Sequence, residues 1–332
     1  MKFISLCIKE ENLNITEWLK NEQQELEDYF NFILTLTDSQ EIKNRMLKMN
    51  DDLICYVVDA PGRTKIPRIL EGDDRSFNLP HRAVAFVREQ SAVTKDRERY
   101  YEFKFGFAYR KKETNPGAKF HELNHNLASQ LSMKIADGEI LKFGSNIQSL
   151  DIVNDKFISK TGNFLDEALT DAIAKYYYEN KCEKQDKPEY QTEYRRSGMT
   201  LFAEILLGND LSNKDLLNAY LGSPEDLNKF NKKFKERTNF NFERILKMDF
   251  NSSKSLDNEN ISIIELIKLS VIYRIKSAKT KETLESEIKF LKSLNILEEL
   301  KQCLSDDSIK ELKTFLNTEY KSAEEKFQPL EI

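Results

Sequence analysis

Apolar positions in residues 15–36 recur at helical spacing, with Trp18, Leu19, Leu26, Tyr29 and Phe30 on one side, and 39–49 continues the pattern. Residues 53–58 and 83–87 are short apolar runs joined by a Pro-, Gly- and Asp-rich connection, which predicts two strands. The period then becomes two. Tyr101, Phe103, Phe105, Phe107 and Tyr109 alternate with Glu102, Lys104, Gly106 and Ala108, as in a strand with one aromatic face. After Pro116-Gly117 it lengthens again. Phe120, Leu123, Leu127 and Leu131 form an apolar stripe with Ala128 beside it, predicting a helix that runs to about Ile135 and stops at Asp137-Gly138.

Gly162-Asn163 predicts another helix start, with Asn163 as cap and Phe164, Leu165, Ala168, Leu169, Ala172 and Ile173 as its apolar surface. The intervening 142–160 reads as irregular and as part of a cleft. From 189 onward nearly everything reads as helix: 189–207, 211–221, 224–237, 261–275, 281–291 and 307–320. Asp210, Ser223 and Asn260 are the expected caps, and the polar 251–260 a linker or loop. No repeat of solenoid period is present. The chain thus divides into an N-terminal α/β region (1–97), a middle region (98–182) and a helical C-terminal region (183–332).

Composition narrows the function. With 332 residues there is room for a sizeable core. The 51 basic and 56 acidic residues give a net charge of −5, which argues against a nucleic-acid binder of the basic-patch kind. No apolar stretch approaches the ~18 residues of a membrane span. The apolar run near Met1 is too short for a secretion signal and lacks a small-residue cleavage site. Cys7, Cys55, Cys182 and Cys303 are dispersed without CxxC spacing, as in a reduced, cytoplasmic protein.

The chemistry sits on the first helix of the middle region. The chain has three histidines, and two of them lie in His121-Glu122-Leu123-Asn124-His125. Positions i and i+4 share a helix face, so His121 and His125 can bind one metal ion, and Glu122 can reach a water beside it. A catalytic zinc needs a third protein ligand and an open position. A metzincin would place glycine at 128 and histidine at 131, but this chain has Ala128 and Leu131. His81 reads as a loop or strand-edge residue. The better third ligand is Glu167. It lies four residues before Asp171, and two carboxylates on one face beside an apolar surface are costly unless paired or metal-bound. If this helix packs on the first, Glu167 can ligate zinc and Asp171 can accept the second ring N–H of a ligating histidine.

The His-Glu-Leu-Asn-His segment followed by Asp166-Glu167-Ala168-Leu169-Thr170-Asp171 resembles the gluzincins, the thermolysin-like zinc metallopeptidases. The resemblance covers roughly residues 98–180. It implies an α+β fold: a zincin-like core with a small sheet and an active-site helix, followed by a mainly helical C-terminal region. It also implies zinc on His121, His125 and Glu167, Glu122 as catalytic base, and Asp171 orienting His121. There is no downstream histidine to bind an oxyanion, so that role would pass to a tyrosine or an arginine; Tyr194 and then Tyr190 are the candidates, ahead of Arg195. Such enzymes set a sheet edge beside the active helix, which suggests the aromatic strand or its neighbour as that edge. The expected activity is hydrolysis of a peptide or protein substrate, in first place as an endopeptidase. The alternative is a catalytically silent zinc-binding module.

Overall fold

The structure is a computed structural model that describes residues 2–7, 14–59, 64–67, 76–79, 85–110, 117–134, 140–151, 156–157, 162–182, 189–190, 198–248 and 261–325. It is an α+β protein in which helix dominates.

The N-terminal half supplies a five-stranded mixed sheet. Strands β1 (Lys2–Cys7), β2 (Ile54–Asp59), β5 (Ala85–Lys95) and β6 (Glu98–Arg110) lie in the order β1-β2-β6-β5, and β7 (Ser132–Lys134) also pairs with β6. The β1–β2 and β2–β6 pairs are parallel, whereas β5 and β7 run antiparallel to β6. The aromatic strand therefore exists, but it is interior. β2 flanks it at Gly106–Arg110, β5 at Glu98–Ala108 and β7 at Tyr100–Glu102. Among the described residues, a free edge belongs to its neighbours β5 and β7. Tyr101 and Phe103 of β6 are buried in the core. Strands β3 (Thr64–Pro67) and β4 (Ser76–Leu79) make a separate hairpin.

Helices α1 (Asn14–Thr35) and α2 (Gln40–Asp52) precede β2, close to their expected bounds. Helix α3 (Ala118–Leu127) is shorter than its apolar stripe predicts. Beyond Leu127 the backbone turns to the sheets instead. The Phe103 N–H bonds to Leu131 O at 2.9 Å, the Gln130 N–H to Lys142 O at 3.2 Å, and β7 follows at once. The stretch read as irregular contains β8 (Ile140–Phe143), β9 (Asn146–Asp151) and β10 (Lys156–Phe157), a small antiparallel sheet. Lys142, Ser145 and Gln148 are buried within it, although nothing in their polarity signals this.

Helix α4 (Asn163–Asn180) starts one residue after the glycine, not at an asparagine cap: Gly162 occupies the cap with φ 88°. A Cβ there would stand 1.8 Å from the Ser145 carbonyl oxygen, so only glycine fits. The helix is buried on most sides, and α3 and α5 (Met199–Leu207) pack on it. The C-terminal half continues with α6 (Lys214–Leu221), α7 (Pro224–Thr238), α8 (Glu243–Leu246), α9 (Ile263–Ser277), α10 (Lys281–Ser293), α11 (Ile296–Leu300) and α12 (Asp306–Glu325). Ser223 caps α7 in a reciprocal pair with Asp226, as expected, with Pro224 in the first turn. Asn213, rather than Asp210, caps α6 and accepts the Leu216 N–H at 3.3 Å. Ser262 caps α9. Asn260 and the polar 251–260 lie outside the described residues. No helix among the described residues is long and apolar enough to cross a membrane. One contiguous cluster of buried side chains extends from Leu26 to Leu316 and so crosses both boundaries drawn at 97 and 182.

Candidate metal centre

His121 and His125 stand one turn apart on α3, and Glu167 comes from the second turn of α4. The His121 Nε2 atom is 3.1 Å from His125 Nε2 and 3.1 Å from Glu167 Oε2, and His125 Nε2 is 3.5 Å from that same oxygen. Donors held about 2.1 Å from one ion at tetrahedral angles stand about 3.4 Å apart. The triangle has that size, so the three residues fit a single metal ion. They form a cluster capable of holding a metal among the described residues.

The far side of each imidazole meets a carboxylate. His125 Nδ1 is 3.0 Å from Asp166 Oδ2, and His121 Nδ1 is 3.7 Å from Asp171 Oδ1. A proton on each Nδ1 leaves each Nε2 lone pair free to meet a metal. The carboxylates are themselves fixed. Asp166 Oδ1 accepts the Ser145 N–H at 3.1 Å, in the turn between β8 and β9. Asp171, fully buried, accepts the Tyr190 hydroxyl on Oδ1 at 2.8 Å and the Thr200 hydroxyl on Oδ2 at 2.5 Å. Thr200 lies in the first turn of α5, so the helical C-terminal region reaches directly to the support of His121.

Electrostatics follow from this packing. Burial disfavours charge on His121, but Asp171 and Glu167 outweigh it and raise its pKa to about 9. His125 is likewise raised, by Glu167 and Asp166 against burial. Burial pushes Glu167 up, and the two histidines overcome this and hold its carboxyl well below the usual range. Asp171 is lowered despite burial by His121, Thr200 and Tyr190. Glu122 differs. Burial raises its pKa, and His121 and His125 only partly offset that. Its half-buried carboxylate makes no hydrogen bond or ion pair with a described residue, while its main-chain oxygen takes the Asn126 amide at 2.7 Å.

The structure thus brings together His121, Glu122, His125, Glu167 and Asp171. Tyr190, expected as an oxyanion donor, lies behind His121. Its ring is buried against Tyr178, and its hydroxyl is bonded to Asp171. Tyr194 and His81 lie outside the described residues. Asp166 was quoted in the sequence motif without a role. It sits about 100° round the helix from Glu167, and a rule that reads only i, i+4 faces passes over it. Comparison with protein-family models, with curated proteins and with solved structures finds no match to this chain.

Proposed function

We propose that the chain is a zinc-dependent metallopeptidase with a zincin-like core of gluzincin type, formed by α3, α4 and the sheet beside them. The observation that carries this reading is the triangle of His121 Nε2, His125 Nε2 and Glu167 Oε2, with the uncommitted carboxylate of Glu122 next to it on α3. Bound there, zinc supplies Lewis acidity, making water a nucleophile near neutral pH and polarising a carbonyl.

Glu122 takes the proton of the attacking water and returns it to the leaving amine. Its raised pKa suits a group that must do both. Asp166 and Asp171 hold the two imidazoles in one tautomer and orientation. Tyr194 is the proposed donor to the developing oxyanion. A silent metal-binding module would have no use for an unpaired, partly buried Glu122.

The test is metal analysis of the purified chain followed by digestion of a mixed peptide library. One zinc per chain is expected, with cleavage that chelation abolishes and zinc restores. Glu122→Gln should retain zinc and fold yet lose at least about a hundredfold in kcat, since an amide cannot accept the proton. Undiminished turnover by that variant, or wild-type protein without metal affinity, overturns the reading.

A further inference from the structure

Helix α5 reads Met199-Thr200-Leu201-Phe202-Ala203-Glu204-Ile205-Leu206-Leu207, and Thr200 and Glu204 are its only polar side chains. They stand one turn apart, and both turn onto α4. Thr200 donates to Asp171 Oδ2 at 2.5 Å, and Glu204 Oε1 accepts from Lys175 Nζ at 2.5 Å. Asp171 and Lys175 are also one turn apart on their own helix. The two helices therefore meet through two polar contacts, each drawn from an i, i+4 pair on either side. The first contact supports the carboxylate behind His121; the second has no part in the metal centre described above.

The Lys175 and Glu204 side chains are only 11% and 20% exposed, so theirs is not a solvated surface pair. Two charges withdrawn from water give up much hydration, and apolar side chains in their place are often as stable or more so. Net stability is thus a weak reason for this pair. Register is a stronger one. The other side chains of α5 are apolar and buried. Contacts such as that of Phe164 with Phe202, whose ring centres are 6.0 Å apart, are non-directional. They hold α5 on α4 without selecting one slide or rotation, whereas two polar contacts a turn apart are made together in a single setting.

We propose that Lys175 and Glu204 are positioning residues. Their pair fixes the register of α5 on α4 and so keeps the Thr200 hydroxyl on Asp171, the carboxylate that faces His121. The consequence for metal affinity rests on the proposed zinc site; the register itself does not.

The experiment uses the full chain carrying Lys175→Met and Glu204→Leu together, which leaves neither charge buried without its partner. Its urea midpoint should stay at or above that of the wild type. Zinc affinity, measured by chelator competition, should nevertheless fall severalfold, about as far as in Thr200→Val. Adding Thr200→Val to the pair should bring no further loss, because the pair acts through that hydroxyl. Glu204→Gln provides the same cycle should the double variant not fold. A crystal structure of the metal-free variant gives a readout that needs no zinc: Thr200 Oγ1 should stand more than about 3.5 Å from Asp171. Where the wild type binds zinc, unchanged affinity in the variant, losses that add to those of Thr200→Val, or an intact Thr200–Asp171 bond overturns the proposal and leaves the zinc reading standing. A wild type that binds no zinc, with Thr200 displaced in the variant, overturns the zinc reading and supports the register.

Discussion

Asp166 and Asp171 perform one task for two imidazoles, but their own supports differ. Asp166 takes a main-chain N–H, whereas Asp171 depends on the hydroxyls of Tyr190 and Thr200. Asp171→Ala and Asp166→Ala should each weaken zinc binding about 10- to 100-fold in a chelator competition assay. Thr200→Val should weaken it less, because one hydrogen bond to Asp171 survives. Tyr190→Phe should do the same; a fall in kcat with zinc affinity intact would restore that tyrosine to the reaction itself.

Acidity gives a second residue-level expectation. His121 rises from 6.5 unfolded to about 9 in the folded, metal-free chain. A raised pKa adds stability that is complete below the unfolded value and disappears as pH climbs through the folded one. Chelator-treated protein should therefore lose stability to urea between about pH 6.5 and 9, while zinc affinity increases over the same interval because protons compete with the metal. A flat urea midpoint across that range would contradict the assignment. The cluster of His121, His125 and Glu167 was legible in the sequence because i, i+4 spacing is local. Tyr190 and Thr200 were not, because hydrogen bonds to Asp171 from elsewhere in the chain leave no periodic trace.

Among the elements, the turn between β8 and β9 matters most. Gly144 has φ 56°, and a Cβ there would lie 1.8 Å from Asp166 Oδ1. Gly144→Ala should cost about 1–3 kcal/mol from backbone strain and should also displace Asp166, lowering zinc affinity. Denaturation and metal competition on one preparation separate the two effects; unchanged zinc affinity would show that the turn merely folds the hairpin. This segment was read as irregular since its strands are short and its buried Lys142 looks like a surface residue. That side chain instead donates to the carbonyls of Tyr220 at 2.7 Å and Gly222 at 3.0 Å, at the end of α6. The long helices were legible because one apolar face against solvent leaves a clear period. α3 was overextended because its stripe continues into residues that the sheets claim for their own hydrogen bonds.

For the whole molecule, the continuous core ties the metal centre to the C-terminal helices. Zinc at a thousand times its Kd should add about 4 kcal/mol to stability, and calorimetry should register this as one shifted transition. Two transitions, with only one responding to metal, would indicate separately folding halves. The division into three regions follows changes in periodicity along the chain, whereas the core is assembled by contacts distant in sequence.

The hydroxyl of Thr200 on Asp171 has a consequence for the order of events during synthesis. On the proposed reading the ligand set is complete once Glu167 has been made, yet Asp171, which faces His121, gains its second hydroxyl only when α5 follows. A nascent chain would then carry the proposed ligand set before its full support, which would place selective metal capture at the end of folding rather than at its beginning.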